Sequence, residues 1–136
     1  EKPVEAREHP CWPVAQLLFS GWRKRCNHPR ARWTEDRFWA IEPFLSGGRY
    51  GKTLEDRVSL CARAIAGAGF DAFEVKRRNG TVKRFDDWER LYADAGKFED
   101  FCNRAPLGWR PTLSPQMLKA IGAAEERLKA QRTADR

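Results

Sequence analysis

Apolar side chains recur at helical spacing along most of the chain and change to alternation in one short tract. Val14, Leu17, Leu18 and Trp22 fall at i, i+3, i+4 and i+8, one stripe of an amphipathic helix predicted from about Pro13 to Cys26. Pro13 suits the first turn, where its missing N–H costs nothing, and Asn27 and Pro29 are the next breakers. Thr34 reads as the N-cap of a second helix, with Glu35 and Asp36 placed to meet the positive end of its dipole. Phe38, Ile41, Phe44 and Leu45 give that helix a core face, and Pro43 inside the pattern predicts a kink or an early end. A third helix opens on Thr53 as N-cap, carries Leu54, Val58, Cys61 and Ile65 on one stripe, and is expected to stop at Gly67-Ala68-Gly69.

From Phe70 to Phe85 the texture changes. Phe73 and Val75 precede Asn79-Gly80 and Val82 follows it, which predicts a β-hairpin with both turn residues at positive φ, an ordered loop being the alternative. Two strands alone are marginal, so Phe73 and Phe85 are expected to anchor the hairpin on the helices. Asp86 and Glu89 resemble a capping box that opens a short helix through Trp88, Leu91 and Tyr92, broken by Gly96. Phe98, Phe101 and Cys102 mark a further short helix ending before Pro106, and residues 106–113 form a connector around Trp109. Ser114-Pro115 opens a last helix whose narrow seam is Met117, Ile121, Ala124 and Leu128. That seam either docks on the core or, with Trp109, meets a protein partner. The prediction is a mainly α, small helical domain of five or six helices with one short β-hairpin. Residues 1–13 read as a lead-in or linker, 14–113 as the helical core and 114–136 as the C-terminal helix.

The bulk properties narrow the class. A chain of 136 residues with eight Phe and six Trp has the size and the side chains for one well-packed core. No apolar run reaches the roughly 18 residues that a membrane span needs, and no signal-peptide core is present, so a cytoplasmic location is expected. The chain begins at Glu1 and its single methionine is Met117, which suggests a fragment of a longer protein. Cys11, Cys26, Cys61 and Cys102 include no close pair, so buried thiols are expected rather than a zinc site. The charge is more informative once it is located. Residues 23–32 hold five Lys/Arg and residues 76–84 five more, with no acid in either stretch, so these ten exceed the whole formal net charge of +7. On one face they would form a polyanion-binding surface; apart, they are two solvated turns.

Catalytic patterns find little support. His9 lies in the lead-in and His28 in a basic loop, and neither accompanies a nucleophile in a recognisable context. Asp86-Asp87 and Glu99-Asp100 are carboxylate pairs of the kind that hold Mg²⁺ in nucleases, but helix starts and solvated faces already account for them. The tract GGRYGKT falls short of GxxxxGK[ST], since Ser46 stands where glycine is needed, and it follows a helix rather than a strand. Trp22, Trp39 and Trp88 are assigned to the core. Trp33, inside the basic tract, either stacks on a base or staples the start of the second helix.

One resemblance spans residues 17–106. Trp22 precedes His28-Pro29 and Ala31, and Arg37 and Ile41 follow on the next helix. Glu55-Asp56 then opens a helix that closes on Ala64, Ile65 and Gly67, and Asp87, Glu89, Leu91, Phe98 and Phe101 complete the pattern. In these positions the chain resembles the C-terminal region of phage and prophage replication-type proteins, whose N-terminal half often carries a winged helix. It differs from them in the glycine-rich tract before the third helix and in the basic tract before Phe85. The resemblance implies a helical accessory domain in replication initiation or helicase loading and supplies no active-site residue, metal or cofactor.

The function expected from the sequence is non-enzymatic binding of nucleic acid, DNA favoured. The residues are Arg23, Lys24, Arg25, Arg30, Arg32, Lys76, Arg77, Arg78, Lys83 and Arg84. The alternative is a module that docks a replicative helicase or an oligomeric partner through Met117, Ile121, Leu128 and Trp109.

Overall fold

A computed structural model describes residues 5–70 and 74–134. A 3-10 turn at Ala6–Glu8 leads into α1 (Trp12–Arg25), α2 (Glu35–Ser46) and α3 (Leu54–Phe70). The antiparallel strands β1 (Glu74–Lys76) and β2 (Val82–Arg84) follow, then α4 (Trp88–Leu91), α5 (Ala95–Arg104) and α6 (Pro115–Ala134). The domain is mainly helical, with a single two-stranded hairpin among the described residues.

Side-chain caps set several helix starts. Thr34, Thr53 and Ser114 each accept a bond from the backbone N–H three residues on, at 3.2, 3.1 and 3.1 Å. Asp94 does the same for Lys97 at 2.8 Å, so α5 begins at Ala95 and Gly96 lies inside its first turn. α2 runs through Pro43 to Ser46, because a proline near the C-terminal end forfeits one bond while its own carbonyl still accepts from Gly47.

α3 does not stop at its glycines. It continues to Phe70, and Gly67 is where α5 crosses it most closely: a Cβ there would stand 1.7 Å from the Phe101 carbonyl oxygen. The α3–α5 pairing is the most extensive in the molecule, and α1, α2 and α6 also pack on α3. The glycines read from the sequence as a stop are thus a contact surface, which is why helix propensity is overridden there.

Trp88, fully buried, centres an aromatic cluster. Phe19, Trp22, Trp33 and Tyr92 surround it at centroid distances of 4.7 to 6.0 Å, and its indole N–H donates to the Arg37 carbonyl at 2.8 Å. Trp33 meets Phe38 edge to face at 6.4 Å across the α2 N-cap, the hydrophobic staple between N′ and N4. Trp39, assigned to the core from the sequence, is 40% exposed, because one helical step from Phe38 turns it to the solvent side of α2.

Three buried features complete the frame. Arg57 donates to the carbonyls of Leu45 at 2.5 Å and Gly51 at 3.0 Å, so its guanidinium closes the end of α2 and pins the glycine-rich loop. Gly51 has φ +154°, and a side chain there would strike Asp56. The stretch read as a lead-in contributes Ala6 and Cys11 to the core. The α6 seam is also spent inside the chain: Met117, Ile121 and Ala124 are buried and Leu128 packs against the same core. Of the two roles open to this seam, internal packing is the one that occupies Met117, Ile121 and Leu128 here, since an apolar stripe beside an uncovered core buries itself there first.

Gly67→Ala is expected to destabilise the fold by about 2 to 4 kcal/mol, since two helix backbones must separate to admit the methyl group. The midpoint of urea unfolding measures it; an unchanged midpoint would contradict the close crossing.

Candidate nucleic-acid interface

The end of α1 creates one wall of the site. Asn27 adopts φ 57°, and the His28 N–H bonds back to the Arg23 carbonyl at 2.8 Å, a C-terminal motif in which asparagine takes the left-handed position. The chain reverses, and His28 stacks flat on Trp22 at 4.6 Å. The Trp22 indole N–H donates to the Asp86 carbonyl oxygen at 2.8 Å, and His28 Nε2 lies 2.8 Å from Asp86 Oδ1. Asp86, 1% exposed, follows β2, so these bonds draw the hairpin to the end of α1.

The hairpin forms where it is predicted, with a different turn. Register pairs Glu74 with Arg84, Val75 with Lys83 and Lys76 with Val82. The Gly80 N–H closes on the Arg77 carbonyl at 3.0 Å, and the Arg77 N–H on that of Thr81 at 2.7 Å. Only Gly80 takes positive φ (+85°), while the Asn79 carboxamide oxygen accepts from Thr81. The loop is thus one residue longer than a two-residue Asn-Gly turn. All six strand residues are exposed. Phe73, expected as an anchor, lies outside the described residues. Phe85 is half-buried, beneath the cations of Lys83 and Arg90 at 5.1 and 4.6 Å.

Between the two walls lies an open cleft of about 630 Å³, and Arg25, Arg77, Lys83 and Arg84 line it together. Both basic stretches therefore reach one site. Within it Arg84 is already committed: it donates to the Ala68 carbonyl at 3.1 Å and faces Glu74 at 3.6 Å and Asp86 at 3.5 Å. Arg25 rests over the rings of Phe70 and Trp109 at 4.8 and 5.6 Å. The other six predicted residues lie outside the lining. Arg23 is half-buried and donates to the Pro29 carbonyl, whereas Lys24, Arg30, Arg32, Lys76 and Arg78 are exposed.

His28, Asp86 and Asp87 bring three possible metal-ligand atoms within 4.8 Å of one another. His28 and Arg84 already face the Asp86 carboxylate from two sides, which neutralises it within the chain. Asp86 is the residue that sequence reading placed wrongly, since Asp87 is the N-cap of α4 and makes no side-chain cap. No local pattern marks it, because its hydrogen-bond partners His28 and Trp22 lie 58 and 64 positions away. Several residues that carry the replication-type resemblance meet here: Trp22 and His28 on Asp86, and Arg37 Nε on Glu89 at 2.6 Å. They join α1, α2 and the chain around α4.

Burial governs the thiols. It pushes Cys26, at the cleft, up to about 12, with the Asp86 charge adding to the effect, and raises Cys102 to about 12 and Cys11 to about 11. Compared with known protein families, curated proteins and solved structures, the chain finds no match.

Two outcomes are expected. Asp86→Ala removes the carboxylate that His28 and Arg84 face, keeps the backbone carbonyl that Trp22 bonds, and should lower stability by about 2 kcal/mol, read by thermal unfolding. Because the native thiols hold their protons more tightly than the ordinary value of 9.0, their contribution is complete below pH 9 and is lost as pH rises toward 11 to 12. Urea midpoints measured across that range should fall on the alkaline side, and a thiol reagent at pH 8 should react only with unfolded protein.

Proposed function

We propose that the chain is a non-enzymatic nucleic-acid-binding accessory domain, DNA favoured, of a phage-type replication protein. The observation that carries this reading is the meeting of residues 23–32 and 76–84, far apart in sequence, around one cleft lined by Arg25, Arg77, Lys83 and Arg84. Phosphates are the natural ligand of such a surface, since each neutralised phosphate releases a counterion. The exposed ribbon of β1 and β2, with Arg77 and Arg78 at its tip, has the form of a groove-inserting element. Arg30 and Arg32 extend the positive field beyond the cleft. Arg23 and Arg84, bonded within the chain, hold the walls and leave phosphate contact to their exposed neighbours. The replication setting, and a replicative helicase as companion, are supported by the residue pattern from Trp22 to Phe101.

Fluorescence-anisotropy titration of labelled single- and double-stranded DNA at two salt concentrations tests this reading. Binding should be micromolar or tighter at low salt and weaken steeply as salt rises. Reversing charge at Arg77 and Arg78 together should weaken binding at least about tenfold and flatten the salt dependence by about two phosphates. Circular dichroism should stay unchanged, because both side chains are exposed. No binding at low salt would sink the proposal.

A further inference from the structure

A second depression shares Arg25 with the cleft and differs from it in chemistry. It is a groove of about 570 Å³ between α1, α3 and the connector, with Leu18, Gly21, Ile65, Trp109, Leu113 and Met117 among its walls. Among the described residues, the only charged ones that line it are Lys24 and Arg25. We propose that this groove binds a protein segment carrying one or two large apolar side chains flanked by carboxylates.

Three observations support that occupant. Among the described residues the lining pairs an apolar floor with two cations and no acid, so a purely apolar segment would leave the cations unused and an acidic one alone would leave the floor wet. Gly21 sits inside α1, where glycine weakens a helix relative to alanine, yet a Cβ there would meet nothing within 4 Å. No neighbour among the described residues requires the glycine; the space above it belongs to the groove. The outer wall is also fixed in advance. Arg63 donates to the carbonyls of Trp109 at 2.8 Å, Ala105 at 3.2 Å and Pro106 at 3.3 Å, which holds the connector against α3. A preformed site spares its ligand the cost of ordering it. The surface is distinct from the α6 seam, of which only Met117 reaches the groove.

Panning a phage-displayed library of random dodecapeptides on the full chain tests the proposal. Enriched peptides should share an aromatic or branched aliphatic residue next to at least two Asp or Glu. Synthesised with a fluorescein label, they should bind Gly21→Leu and Lys24→Glu about tenfold or more weakly than the unmodified chain. Gly21→Ala, which leaves most of the space open, should retain binding, so a folding defect in the leucine variant would not decide the matter. DNA affinity of Gly21→Leu should be unchanged, which separates this surface from the cleft. Absence of enrichment, a consensus without acids, or equal binding to Gly21→Leu would overturn the proposal. So would self-association in sedimentation that Gly21→Leu abolishes, which would give the groove to a second copy of the chain. Loss of DNA binding in Gly21→Leu would instead merge the groove with the nucleic-acid surface and overturn its separate role.

Discussion

The bonds that converge on Asp86 are the constraint on which the basic cleft depends. A hairpin whose six strand residues are all exposed contributes almost no burial of its own, so its position comes from its ends. Trp22 takes the Asp86 carbonyl, His28 and Arg84 face the carboxylate, and Arg84 also reaches the end of α3. The outcome is that a charged ribbon is held at a defined distance from the basic C-terminal end of α1. The cost of burying a carboxylate is offset by the Arg84 guanidinium on one side and the His28 imidazole on the other, and His28 is itself stacked on the indole that holds the backbone.

Behind that face, the core uses shape more than chemistry. Gly67 lets α3 and α5 approach backbone to backbone, Arg57 ties off α2 from beneath, and Trp88 joins three helices through rings and one indole bond. The cysteines take part as small apolar groups: all four are free and buried. A frame of this kind leaves charge on its surface to be arranged independently of stability, and that is where the two basic stretches lie.

The sequence was most informative wherever physics acts locally. N-caps at Thr34, Thr53 and Ser114, the apolar stripes of α1 to α3, the staple at Trp33 and the hairpin around Asn79-Gly80 all depend on residues within a few positions of one another. It misled wherever a distant neighbour decides. Gly67 and Gly69 read as a stop because nothing in the sequence indicates the helix that crosses them. Trp39 was placed inside because hydropathy does not distinguish two adjacent positions on one turn. The seam of α6 could be read either way until the core beneath it was placed. The cleft was half visible: charge located Arg25, Arg77 and Lys83, but not the anchor that brings them together, since Asp86 looks like any residue before a helix.

The Trp22–Asp86 bond spans 64 positions, and that separation bears on the order of assembly. Closing so long a loop costs chain entropy that no single bond repays, whereas the contacts within each helix form early and cheaply. The end of α1 and the chain after β2 therefore meet only once α3 has brought them within reach. Loop-closure entropy thus makes the cleft a late product of folding, so a nascent or partly folded chain presents its basic residues as two separate tracts.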